Sequence, residues 1–252
     1  MKRLRADLHI HTVLSACADL RMSPRRVVHE ARRAGLALIA IADHNAAANG
    51  PYVRRIARGN PAVLLGMEIQ SQEEVEVLAL FDDEWACLTL EEELYKDLPD
   101  VDCDPDLFGD QVVVDEQDNI VRTVRKLLIS PVPWALPDVV RRVAQLGGWS
   151  VPAHVDRVPG GLLAVLGLLP EGDWPEAAEL SPWSSANDTI EQWPALGRLS
   201  LLRASDAHFP HEVGRGWTEL RVTEPSLAEL RAAVQGVEGR SVSLGPPCKE
   251  GR

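Results

Sequence analysis

Five of the seven histidines in this 252-residue chain, His9, His11, His44, His154 and His208, end an apolar run or sit just past one. In an extended strand residues i and i+2 share a face, so His9 and His11 project together, as do Asp206 and His208. A single histidine at such a place is an ordinary core or surface residue; five at the same kind of place are poorly explained by chance. Imidazole and carboxylate are favoured ligands of divalent first-row metals, so each pair can grip one ion. A chain built this way needs a fold that gathers its strand ends at one mouth.

The apolar runs alternate with helical patterns. Residues 4–11 lead to a helix over 24–34, residues 37–42 to one over 46–58, and residues 63–69 to a run at 75–81. That rhythm predicts βαβ units and a mainly parallel sheet, and the length suits one α/β barrel domain over 1–244. Ser23 and Pro24 mark the start of the first helix, and Asn45 can cap the second in the same way. From 82 to 129 the rhythm breaks into an insertion: a short helix at 90–98, an acidic loop, and a β-hairpin of 111–115 and 120–126. Asp100, Asp102, Asp104 and Asp106 imitate a calcium loop, but Pro105 stands where glycine is needed and Gln111 where glutamate is, so the loop reads as solvated. The alternation resumes with a helix at 138–146, strands at 149–153, 176–180, 199–204 and 216–223, and a helix at 226–234. Residues 245–252 read as a frayed tail.

The first five residues are basic but lead into Asp7 rather than an apolar stretch, which predicts no signal peptide, no membrane span or membrane partner, and a cytoplasmic protein. Cys17, Cys87, Cys103 and Cys248 are widely spaced, which disfavours a disulfide frame or thiolate zinc site. The net charge of -12 opposes non-specific binding of duplex nucleic acid, though not of a small nucleotide. Composition leaves the oligomeric state open. Arg21, Arg25, Arg26, Arg32 and Arg33 gather early and read as the solvated face of a helix, with Arg21 set apart beside a candidate ligand.

Every candidate ligand falls at or just after the end of an expected strand: His9 and His11, His44 after Ile41, Glu68, His154 after Val151, and Asp206 and His208 after Leu202. In a parallel barrel those ends converge on one face.

In these residues the chain resembles the PHP (polymerase and histidinol phosphatase) family. Asp7-Leu8-His9-Ile10-His11-Thr12 with Ser15 is similar to its first motif, Asp43-His44-Asn45 to the second and Gly66-Met67-Glu68 to the third. Ala153-His154 with Arg157 and Ser205-Asp206-Ala207-His208 are similar to later ones. The resemblance implies a distorted TIM-like barrel of seven strands that holds two or three divalent metals, manganese, iron or zinc, and hydrolyses phosphate esters. It implies that His9, His11, Glu68 and Asp206 bind a first ion, that Glu68 and His154 share a second, and that Asp19, His44 and His208 hold a third.

One departure matters. Where members often carry a histidine after the third motif, Val75-Glu76-Val77 supplies Glu76, a harder ligand that shifts the second position toward manganese, iron or magnesium and away from zinc. The expected chemistry is attack on a small phosphorylated metabolite, nucleotide or oligonucleotide by a hydroxide held between ions. Asp7 and Asp43 are candidate acceptors that orient the ligating imidazoles, with strand-end capping as the equal alternative. Arg157 and Arg21 are candidate phosphate ligands, Arg203 a weaker one, and His211 a candidate general acid for the leaving group. Two competing readings are a metal-dependent hydrolase of amide-type bonds and a non-catalytic metal-binding scaffold. Arginines directed at the ligand cluster favour the phosphoesterase over the first.

Overall fold

Residues 1–170, 172 and 174–248 are described by the computed structural model. The chain opens with β1 (Lys2–Ile10), α1 (Pro24–Arg33), β2 (Leu38–His44), α2 (Gly50–Ala57), β3 (Ala62–Gln70) and β4 (Glu76–Phe81). Ser23 caps α1 by accepting from the Arg26 amide at 3.4 Å, and Pro24 takes the first helical position, where no amide partner is required. Asn45 does not cap α2. It lies in the left-handed region at φ 45° and donates its side-chain amide to the carbonyls of Leu128 and Ser130 at 2.7 and 2.9 Å, so it ties the strand end to the insertion.

That insertion comprises α3 (Glu84–Asp97), α4 (Pro105–Phe108) and a hairpin of β5 (Val112–Val114) and β6 (Ile120–Thr123). Its acidic loop is internally satisfied: Asp100 and Asp102 pair with Arg125, and Asp104 caps α4. Beyond it come α5 (Leu136–Gln145), β7 (Trp149–Pro152), α6 (Leu162–Leu166), β8 (Ala177–Leu180), α7 (Ala186–Gln192) and β9 (Ser200–Arg203). The described chain closes with β10 (Thr218–Val222), α8 (Leu227–Val234) and β11 (Ser241–Leu244).

A curled sheet of seven strands, in the order β11-β10-β1-β2-β3-β4-β7, forms a half-barrel flanked by helices, a distorted form of the TIM-like barrel. β1, β2 and β3 pair in parallel through the crossover helices α1 and α2. The expectation of a mainly parallel sheet does not hold beyond them. Only residues 71–75 join β3 to β4, too few for the crossover that a parallel pair needs, so these strands are antiparallel, as are β4 and β7, β1 and β10, and β10 and β11. β8 and β9 form a separate parallel pair.

Side-chain alternation along β2 sends Ile39 and Ile41 to the helix-facing core with Val27, Val28 and Val53, and Leu38 and Ala40 to the inner core with Leu8, Leu78 and Leu220. Burial on both faces explains why β2 reads as an unbroken apolar run. Each such fully buried isoleucine or leucine contributes about 1.5–3 kcal/mol. The expected tail is tied down as far as it is described. The Gly245 amide donates to the Trp217 carbonyl and the Cys248 amide to the Pro182 carbonyl, both at 2.9 Å, while 249–252 lies outside the described residues. Among the described residues no helix is long and apolar enough to cross a membrane.

Candidate metal centre

The strand ends converge on one mouth. Parallel register sets His44 of β2 abreast of Glu68 of β3. Because β4 runs against β3, its first residue, Glu76, also lies at that mouth, and the Ala153 amide bonded to the Glu76 carbonyl at 3.0 Å brings His154 beside it. At the end of β1, a bridge between Ile10 and Ala207 carries the last motif onto the first. The His11 amide donates to the Ala207 carbonyl at 3.0 Å and the Ala207 amide to the His9 carbonyl at 3.3 Å. Asp206 is held there at φ 48°, a left-handed conformation that costs a non-glycine residue on the order of 1–3 kcal/mol and recurs at functional sites.

Glu68 is the hub. Its Oε1 lies 2.9 Å from His154 Nε2 and 3.4 Å from His9 Nε2, and its Oε2 lies 3.2 Å from His44 Nδ1 and 3.5 Å from His11 Nε2. Asp206 Oδ1 is 3.5 Å from His9 Nε2 and 3.3 Å from His11 Nε2, while Glu76 Oε2 is 3.4 Å from His154 Nε2. The His208 ring stacks on His11 with centroids 4.2 Å apart. Four overlapping sets of three donors each lie within 4.8 Å: His11, His44 and His208; His9, His11 and Asp206; His9, Glu68 and His154; and His44, Glu68 and Glu76. These donors are capable of coordinating two to three divalent ions.

Hydrogen bonding around the cluster shows why it suits cations. Ser15 Oγ donates to Asp43 Oδ1 at 2.7 Å, so it must accept from His11 Nδ1 at 2.9 Å. His9 Nδ1 faces both carboxylate oxygens of Glu179 at 3.2 Å. Both imidazoles thus carry a proton at Nδ1, and their Nε2 atoms face inward 3.1 Å apart, close enough to share one cation, a proton or a metal ion. Asp206 Oδ1 and His154 Nδ1 are buried with no hydrogen-bond partner. Burial would lower the His9 pKa, but Glu179, Glu68 and Asp206 hold it well above its ordinary value, so the cluster is short of positive charge. Burial and then Glu68 push Glu76 up to about 7.

Glu179 on β8 was not singled out by sequence reasoning. Its signal is a lone carboxylate inside the apolar run Ala177-Ala178-Glu179-Leu180, where a charged group is rarely buried without a partner. Asp43 reaches the cluster through Ser15, and also accepts from the Thr12 amide and hydroxyl at 2.7 Å. Asp7 orients no imidazole. Its two oxygens accept from the amides of Ser205 and Gly214 at 2.9 and 2.8 Å, which fastens two distant loops to β1, the strand-end alternative.

Arg157 points into the cluster, with Nη1 2.6 Å from Asp206 Oδ2. Arg21 does not: it clasps Asp19 through Nε and Nη2 at 2.7 and 2.9 Å, on the surface. Asp19 is fixed beside His208 by its amide, which donates to the His208 carbonyl at 2.9 Å, but its carboxylate is engaged by Arg21 and belongs to none of the four donor sets. His211 is exposed on the short 3-10 helix Pro210–Glu212. Arg203 is buried and spends its guanidinium on the carbonyls of Gly245 and Ser184, away from the mouth.

A half-barrel with imidazoles and carboxylates gathered at its strand ends is the fold of PHP-domain metal-dependent phosphoesterases and nucleases, and this chain has that fold. The family model described as PHP-associated matches residues 185–236. Among solved structures, the lesion-specific endonuclease EndoQ from Pyrococcus furiosus is 18% identical, with a TM-score of 0.68 over 96% of this chain and 58% of the endonuclease. Endonuclease Q bound to a 27-mer duplex with an abasic lesion at its active site is also 18% identical, with a TM-score of 0.64 over 95% and 58%. A protein from Bifidobacterium adolescentis assigned as a metal-dependent phosphoesterase is 21% identical, with a TM-score of 0.50 over 81% and 87%. The chain therefore spans little more than half the length of the two endonuclease structures. A comparison with curated protein sequences finds no match.

The duplex-bound relative corrects the expectation that acidic charge opposes non-specific binding of duplex nucleic acid. Net charge sums over the whole surface, whereas counterion release depends on the cations that meet phosphates locally.

Proposed function

We infer that the chain is a metal-dependent phosphoesterase whose substrates are phosphate esters of the nucleotide and nucleic-acid kind. The observation that carries this reading is the pair of inward-facing Nε2 atoms of His9 and His11, 3.1 Å apart within reach of Glu68 and Asp206, with the Arg157 guanidinium entering the same cluster. His9, His11, Glu68 and Asp206 would hold one ion, and His154 and Glu76 with Glu68 a second. His44 and His208 would hold a third, with Asp19 joining if it leaves Arg21. Such ions, when bound, lower the pKa of water and neutralise charge on phosphoryl oxygens.

The chain's own residues do the rest. Arg157 offers a planar fork to non-bridging oxygens and turns from Asp206 to substrate as it does so. Glu179 and Ser15 hold the His9 and His11 rings in the tautomer that faces inward. His211, exposed near the mouth, would give a proton to the departing alcohol. Residues 1–244 act as one domain with 82–129 as its insertion. Four unpaired cysteines suit a reducing compartment, and we place the protein in the cytoplasm.

The test measures metal content by elemental analysis, and hydrolysis of a chromogenic phosphodiester and phosphomonoester with manganese, iron or zinc, for the protein and for Asp206→Ala. Two or more ions per chain, with metal and turnover both lost in the variant, are expected. Metal binding without turnover under every metal would leave the scaffold reading instead.

A further inference from the structure

The solvent face of α1 is entirely cationic or imidazole. Its exposed residues are Arg25, Arg26, His29, Arg32 and Arg33, and on α2 and its C-cap the exposed residues are Arg55 and Arg58. Between residues 11 and 60 no acidic residue is exposed: Glu30 and Asp43 are buried, and Asp19 is half-buried. Residues 11–60 hold eight arginines against three acidic residues in a chain whose net charge is -12, so basic charge gathers on this flank, where Glu116 of the hairpin pairs with Arg55.

Packing explains part of the group. Arg32 donates to the carbonyls of Asn60 and Ala57 at 2.8 and 3.0 Å, and Arg26 and Arg33 flank Glu30 at 2.8 and 3.2 Å. It does not explain Arg25, whose nearest carboxylate is Asp118 at 3.9 Å, or Arg58, which forms no ion pair among the described residues. One buried glutamate also cannot neutralise two arginines. At the head of the row stands Arg21, at the rim of the metal centre through Asp19 and the His208 carbonyl.

We propose that the α1 and α2 flank is a docking track for the phosphodiester backbone of a nucleic-acid strand whose scissile linkage lies in the metal centre. The choice of polymer rests on the phosphoesterase reading above. α1 alone spans about 15 Å, so a mononucleotide in the mouth cannot reach its far end, whereas a strand presents phosphates along its whole length. The cations of the track are arginines, whose forked donors fit phosphate oxygens. An anionic membrane is a poorer partner, because α1 exposes no apolar side chain to enter the headgroup layer.

The test uses metal-loaded protein and a hydrolysis-resistant phosphorothioate oligonucleotide, as single strand and as duplex, with fluorescence anisotropy over a range of sodium chloride. In the triple variant Arg25→Gln, Arg33→Gln, Arg58→Gly, Arg26 still faces Glu30, and its melting temperature checks the fold; the double variant Arg25→Gln, Arg58→Gly stands in if the triple does not fold. The track predicts binding weakened roughly tenfold or more, with a salt slope shallower by about 2 to 3, whereas Arg141→Gln on α5 leaves both unchanged. Wild-type affinity and slope in the variants overturn it, as does equal competition by anionic phospholipid vesicles or polyglutamate. Turnover of the small chromogenic phosphodiester is read separately, so its absence removes the hydrolytic reading without deciding the binding result.

Discussion

Both carboxylate oxygens of Glu179 lie 3.2 Å from Nδ1 of His9, a residue 170 positions earlier in the chain and on another sheet. This contact fixes which nitrogen of His9 faces the cluster. Glu179→Ala should lower metal affinity about 10- to 100-fold, and Glu179→Gln, which keeps an acceptor oxygen, by less. Calorimetric titration with manganese checks this; equal affinity in wild type and Glu179→Ala would show that the ring is held without the carboxylate.

Glu76 is expected to set metal preference. Replacing it in Glu76→His supplies a nitrogen donor beside His154 and should raise the zinc-to-manganese ratio retained after equilibration with both ions. Elemental analysis reads the ratio directly, and an unchanged value would place Glu76 outside the coordination sphere.

Gly160 backs Glu76 at φ 87°, and a Cβ there would collide with Glu76 Oε2. Gly160→Ala combines backbone strain with displacement of the carboxylate. It should lower stability by about 1–3 kcal/mol, measured by urea denaturation, and lose the same ion that Glu76→His alters. A variant as stable as the parent would mean that the loop shifts freely.

Ser15 relays Asp43 to His11, so Ser15→Ala takes the hydroxyl acceptor from buried His11 Nδ1 and the His44 amide, while Asp43 keeps its bonds from Thr12. A destabilisation of about 1–3 kcal/mol is expected, with weaker metal binding. Normal stability and metal content together would contradict the relay.

Away from the mouth, Arg240 and the Thr223 amide hold the Glu229 carboxyl down to about 2 against an ordinary 4.5. A lowered folded-state pKa contributes stability that is present above pH 4.5 and is lost as pH falls toward 2. Melting temperatures from pH 5 to 2 should therefore fall less for Glu229→Gln than for the parent, and parallel curves would remove the pair as a source of acid sensitivity.

The barrel class and the residues gathered at the mouth were legible because periodicity and strand-end position are local properties of sequence. His44 and Glu68 end consecutive apolar runs, and parallel register alone sets them side by side. The surroundings of Asp19 were less legible, since nothing local announces that Arg21, two residues on, engages its carboxylate. Antiparallel β4 and the role of Asp7 depend on pairings made across the fold, as does the edge strand β11, whose Ser241-Val242-Ser243-Leu244 carries little apolar signal. The role of Glu179 likewise depends on β8 lying beside His9 in the fold.

The stitch between Ile10 and Ala207 also orders events in time. During synthesis the first motif emerges from the ribosome early, yet it cannot close its coordination shell until nearly two hundred further residues have been made. Loops of that span are entropically costly to close and slow folding. Metal loading is therefore a late event in the life of the nascent chain, and the half-made protein passes through a period in which its histidines and carboxylates are present but have not yet been brought together.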